Sequence, residues 1–162
     1  MIHLIVGNTG SGKTTYSNKL KLAANGVIFS IDKWNNTLFI PDKKEEDGLN
    51  WFLERIERSE TIMMDLIIQL ESSGTDTILD LGLSKFIHRE KFREFATENG
   101  FECRLHYLDI SKEIRRKRVL NRNKNKGDTF EFEVSSADFD FMEEWFEVPN
   151  NTEMKSGILI SE

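Results

Sequence analysis

The eight residues Gly7-Asn8-Thr9-Gly10-Ser11-Gly12-Lys13-Thr14 constrain this chain more than any other feature. They match GxxxxGK[ST]. The apolar stretch Ile2–Val6 runs directly into them, and Lys13–Ala24, a segment of helical composition, follows. A strand that breaks into glycines and restarts as a helix leaves successive backbone N–H groups without carbonyl partners, turned inward, with the positive end of the helix dipole behind them. That arrangement cradles phosphate. In it Lys13 reaches the β- and γ-phosphates of a nucleoside triphosphate, Thr14 offers its hydroxyl to Mg²⁺, and the backbone from Gly7 through Thr15 wraps the remainder. The alternative, a glycine turn with a chance lysine, does not account for a strand before it and a helix after it.

The rest of the chain alternates in the same way. Apolar runs at 27–31, 77–81, 101–108 and 158–160 predict strands, and helical spacing predicts helices over 51–73, 85–99 (closed by Gly100), 111–122 (with Ser111 as N-cap) and 136–146. Residues 123–128 read as a loop. Alternating strands and helices with short connections predict an α/β fold of three layers, a mainly parallel sheet of roughly five strands covered on both faces. At 162 residues one domain is expected. One cysteine and three unpaired histidines exclude a disulfide scaffold and a zinc module. The longest apolar run, 62–70, is broken by Asp65 and is far short of the roughly 20 residues of a membrane span. Residues 1–6 carry no basic leader, so a cytoplasmic protein is expected.

The net charge of −6 argues against a broad nucleic-acid-binding face, but its distribution is uneven. Between 112 and 126 lie Lys112, Arg115, Arg116, Lys117, Arg118, Arg122, Lys124 and Lys126 against a single acid, Glu113. Arg115, Arg118 and Arg122 are three and four apart and share a helical face. They form either a solvated face paired with the acidic stretch 128–153, or a lid whose arginines stabilise the charge that spreads over a transferring phosphoryl group. Arg118 and Arg122 are the favoured pair for the second role. Asn125-Lys126-Gly127-Asp128 matches the guanine signature NKxD, but no DxxG accompanies it, and it reads as a loop.

Taken together, these residues resemble the small P-loop kinases grouped around zeta toxin, chloramphenicol phosphotransferase and the kinase domain of phage polynucleotide kinase, within the AAA-type ATP-binding domains. Ser30-Ile31-Asp32 stands where that group ends its second strand in an aspartate that takes the proton of the attacking hydroxyl. Ile78-Leu79-Asp80-Leu81-Gly82 matches the end of the third strand, Arg115 to Arg122 the lid helix, and Phe146-Glu147-Val148-Pro149 followed by Glu153 the approach to the last strand. The resemblance implies ATP as donor and a hydroxyl as acceptor. It departs at Asn35, where the group often has a basic residue for an acceptor phosphate. A small-molecule alcohol is therefore the expected acceptor, with a nucleic-acid 5′ end disfavoured. A nucleoside or nucleotide kinase, and a regulatory NTPase that works through a protein partner, are the rival readings.

Several residues keep two readings at this level. Asp32 is a general base for the acceptor, or a helix N-cap. Asp80 holds the Mg²⁺ shell or the acceptor, or is a turn aspartate. Trp34 lines an acceptor pocket together with other aromatics, or is core. His88 and His106 read as structural.

Overall fold

The computed structural model describes residues 1–127 and 130–161. In chain order the elements are β1 (Ile2–Val6), α1 (Lys13–Ala24), β2 (Val27–Ser30), α2 (Ile31–Leu38), a 3-10 turn (Ile40–Asp42), α3 (Leu49–Ser72), β3 (Thr77–Asp80), α4 (Phe86–Glu98), β4 (Cys103–Asp109), α5 (Lys112–Asn125), α6 (Ser136–Trp145), a second 3-10 turn (Glu153–Ser156) and β5 (Ile158–Ser161). The five strands form one sheet in the order β2-β3-β1-β4-β5, and every pairing is parallel. From β1 the chain moves to β2 and β3 on one side and then to β4 and β5 on the other. The crevice at the carboxyl ends of β1 and its neighbours is therefore the switch point where open α/β sheets bind ligands. Among the described residues no helix is long and apolar enough to cross a membrane.

β1 is buried on both faces, as a central parallel strand must be. Ile2, Leu4 and Val6 join Phe29, Met63, Ile67, Leu79, Phe92 and Leu105 under α3 and α4. Ile5 faces the other way, against Ile78, Leu108 and Ile110, with Tyr16 and Leu20 of α1 packed over them. Each such side chain contributes roughly 1.5–3 kcal/mol by leaving water. On that second face His3 and His106 are hydrogen-bonded to each other at 2.9 Å, and Tyr16 Oη and Asp76 Oδ2 complete the chain at 2.8 and 3.2 Å. Burial pushes the His106 imidazole down to about 4, so it is neutral at physiological pH and serves to fasten α1 to the sheet.

The strands fall where the apolar runs predict them, with three differences in the elements around the crevice. β2 stops at Ser30 because Ser30 caps a helix the sequence pattern did not show, accepting from the Lys33 N–H. Asp32 therefore lies in the first turn of α2 rather than at a strand end, and Ser30 takes the capping role that Asp32 was expected to compete for. α5 runs one turn past Arg122 to Asn125 and is closed by Lys126 in the left-handed conformation. Asn125 and Lys126 thus end a helix instead of forming a nucleotide-reading loop, while Asp128 lies outside the described residues.

Candidate active site

The loop between β1 and α1 owes its shape to backbone constraints. Gly12 has φ 97° and is the N-cap of α1, with no side chain bonded over the helix end. Gly10 has φ 80°, and a Cβ there would meet the Arg115 carbonyl oxygen at 2.6 Å. Only glycine satisfies both demands at that position. The loop is also gripped from outside. Arg115, buried in α5, donates to the carbonyls of Ile110 and Thr9 at 2.8 and 3.3 Å and forms a two-pronged pair with Glu143 of α6 at 2.5 and 3.0 Å. Glu143 also accepts from Asn8 Nδ2 at 2.7 Å, and the Asn8 amide oxygen accepts from the Thr9 N–H. Arg115 holds the Glu143 carboxyl below its usual range.

Inside this frame lies a cleft of about 600 Å³. Lys13, Thr14 and Thr15 line it together with Gly7, Thr9, Gly10 and Gly12. Asn8 and Ser11 of the same loop are buried and are not among the residues lining the cleft. Lys13 Nζ donates to the Gly7 carbonyl at 2.9 Å; burial pushes its ammonium down, opposed by the Asp80 and Asp32 carboxylates. The Thr14 hydroxyl donates to Asp80 Oδ2 at 2.9 Å. Burial raises the Asp80 carboxyl, and Lys13 and Thr14 hold it back. Asp32 opens onto the same cleft with its side chain exposed to solvent there; desolvation by the surrounding protein raises its carboxyl, with Lys13 opposing and Asp80 reinforcing.

From the other side α5 presents Arg118 and Arg122. Arg118 donates to the Ser11 carbonyl at 3.2 Å; Arg122 is drawn electrostatically to Asp32, and its buried Nε has no hydrogen-bond partner among the described residues. The three arginines on one helical face thus divide: Arg115 clamps the loop, and Arg118 and Arg122 enter the cleft. Arg116 pairs instead with Asp140 and Ser136. Phe132 and Val134, ahead of α6, line the cleft as well. Asn123 and Val134 exchange two hydrogen bonds, and Asn36 of α2 donates to Glu131 at both its carbonyl and its carboxylate, 3.2 Å each. Phe132, with Phe141 and Met142 of α6, forms an apolar wall of the cleft.

This arrangement fits one known family. A family model that describes an AAA domain (AAA_33) matches residues 2–149. The chain belongs to that family. No curated protein matches it by sequence. Among solved structures it is similar to Chaetomium thermophilum Kti12 in complex with ADP-AlF3, at 13% identity and TM-score 0.72 over 99% of this chain and 89% of that one. It is also similar to a gluconokinase from Sinorhizobium meliloti, at 16% identity and TM-score 0.62, covering 98% of this chain and 81% of the other. The Mycobacterium tuberculosis APS kinase in complex with AMPPNP and APS has 13% identity and TM-score 0.63, covering 99% and 87%. At these identities the likeness is one of fold, that of the P-loop kinases.

Two parts of this AAA domain escaped the sequence reading, and for Trp34 the structure takes the core reading over the acceptor-pocket one. Glu143 was visible only as one acid in an acidic stretch, and nothing in its spacing pairs it with Asn8 and Arg115. Arg89, fully buried, binds Glu153 at 2.5 and 3.1 Å and donates to the carbonyls of Leu83 and Glu147, so it ties the turn after β3 to the segment after α6. A charged residue on an otherwise mixed helix carried no sign of this. Trp34 packs on Phe29, ring centroids 6.0 Å apart, against the main core, and is not among the residues lining the cleft. The helix of α2 turns it inward while Asp32 faces the cleft.

Proposed function

We propose that this AAA domain is an ATP-dependent kinase that moves the γ-phosphoryl group to a hydroxyl of a small-molecule acceptor, and that it works in the cytoplasm. A nucleic-acid 5′ end is the less favoured acceptor. The observation that carries the reading is the position of Asp32, a carboxylate that lines the same cleft as Lys13, Asp80 and Arg122. Phosphoryl transfer asks a protein chiefly for positioning and charge stabilisation. The N–H groups of the loop and Lys13 hold the β- and γ-phosphates. Arg118 and Arg122 meet the charge that spreads over the transferring group. Asp32 accepts the proton of the acceptor hydroxyl, and a raised pKa suits a base working near neutral pH.

The residues also fit a magnesium ion. Thr14 and Asp80 bring a hydroxyl and a carboxylate together, hard oxygen donors of the kind Mg²⁺ takes one or two of while keeping water and phosphate for the rest. When bound, the ion would neutralise charge on the β- and γ-oxygens. The relatives in complex with ADP-AlF3 and with AMPPNP support an adenine nucleotide as donor.

The test is to incubate the protein with γ-labelled ATP, Mg²⁺ and a panel of alcohols and 5′-hydroxyl oligonucleotides. Label carried into an alcohol is the expected result. Hydrolysis stimulated by a protein partner, with no labelled acceptor, would make the chain a regulatory NTPase and overturn the proposal.

A further inference from the structure

A second cavity, of about 480 Å³, shares no lining residue with the cleft. It is a groove between α3 and α4, the two helices that cover Met63, Ile67 and Phe92 on one face of the sheet. Met64 and Phe95 line it half-buried, and Ile87 stands beside them 74% exposed. Its charges are mainly acidic. Glu94 and Glu98 line it, and Glu57, seven residues before Met64 and so on the same side of α3, is exposed next to it. The lining carries one lysine among the described residues, Lys91, and that is held at 2.8 Å by the buried Glu60 carboxylate, which also binds His88.

The opposite surface of the molecule carries the complement. α5 lies over the other face of the sheet, where Ile114 packs with Ile5, Leu108 and Ile110. Two positions on from Arg118 is about 200° around a helix, so Leu120 points away from the cleft, and it is 61% exposed. Lys117 and Lys124 flank it on that outward side, both exposed. Glu113, the acid on the same side, lies two turns back from Leu120. Among the described residues none of Lys117, Lys124, Glu57, Glu94 and Glu98 takes part in an ion pair. An exposed leucine between two unpaired lysines thus matches an apolar groove edged by unpaired carboxylates. Seating one in the other removes apolar area from water, and the opposite charges set the orientation.

We propose that the groove between α3 and α4 receives α5 of a second copy of this chain, with Leu120 against Met64, Ile87 and Phe95, and Lys117 and Lys124 beside Glu57, Glu94 and Glu98. The contact is an amphipathic helix laid in a groove, and it stands independently of the kinase reading. Because the giving and receiving surfaces cover opposite faces of the sheet, each copy can use both at once, and copies add head to tail into rows instead of closing as a pair. One helix in one groove buries less than the ~1,600 Å² of a standard interface, so the association is transient, with Kd on the order of 10–100 μM.

The experiment is sedimentation velocity on the whole protein from ~5 to ~500 μM at low salt. The expected result is an average mass that climbs with concentration past that of a dimer and falls back in about 1 M salt, where the Debye length is about 3 Å. A mass that stays at the monomer value, or one that levels off at the dimer, would overturn the proposal. Two variants locate the contact. Leu120→Glu spoils the helix, and Glu94→Lys combined with Glu98→Lys reverses the groove; all three positions are exposed, so the thermal midpoint should hold. Each variant alone should associate at least about tenfold more weakly. Mixed, they should form a pair and nothing larger, since the first keeps its groove and the second keeps its helix. Association untouched by either change, or no pair in the mixture, would overturn the proposal.

Discussion

The two ends of the cleft are built by different means. At the phosphate end the backbone does the binding, glycines set its path, and a buried arginine clasped by Glu143 locks it against α5 and α6. At the acceptor end the surface is made of side chains from three separate segments, α2, the turn after β3, and the lid with α6, meeting over open space. The first end has one solution for all acceptable ligands, because triphosphates are alike. The second has as many solutions as there are acceptors, and it is held by exposed contacts such as Asn36 with Glu131, which are easy to change.

If this contrast is right, the largest effect should follow from Lys13→Ala. It removes the lysine of the phosphate loop and should cost about a thousandfold or more in transfer together with a loss of ATP affinity. Calorimetric titration with Mg-ATP checks it, and unchanged affinity and turnover would break the assignment of that end. Next comes the clamp. Glu143→Ala leaves Arg115 buried without its partner, and stability should fall by about 3 kcal/mol. Denaturant unfolding measures that loss, and ATP affinity should drop with it because Asn8 and Thr9 lose their support.

Asp32→Asn separates the two ends. It should leave ATP affinity within about twofold while transfer falls about a hundredfold. The pH profile sharpens the point. A raised carboxyl must be ionised to accept a proton, so activity should be lost as pH falls, beginning above the ordinary carboxylate range, and that acid limb should vanish in the Asn variant. A profile unaltered by the substitution would move the base to Asp80. The smallest effect is expected from the lid. Arg118→Ala and Arg122→Ala should each lower kcat about tenfold, roughly 1.4 kcal/mol in the barrier, with little change in KM. An equal rise in KM would mean that these arginines hold the bound nucleotide as firmly as the transition state.

How much was legible in the amino-acid sequence follows the same division. Strand order along the chain, the phosphate loop and its lysine and threonine were readable because local chemistry dictates them: a glycine with φ 97° before a lysine-led helix leaves little else to form. The pairing of Asp80 with Thr14, 66 residues apart, is a consequence of β1 and β3 lying side by side in register. That Arg115 would clamp the loop was not readable, although Arg118 and Arg122 were the favoured lid pair. Arg115 and Arg118 sit on one helical face with the same residue type, and only the arrival of α6 with Glu143 buries one of them and leaves the other open to the cleft. Likewise Trp34 and Asp32 lie two residues apart, and the unforeseen turn of α2 sends one to the core and the other to the site. Sequence by itself determined what the backbone must do around a phosphate. Tertiary structure alone decided which side chains share a wall of the cleft, since that depends on segments distant in the chain meeting at one place.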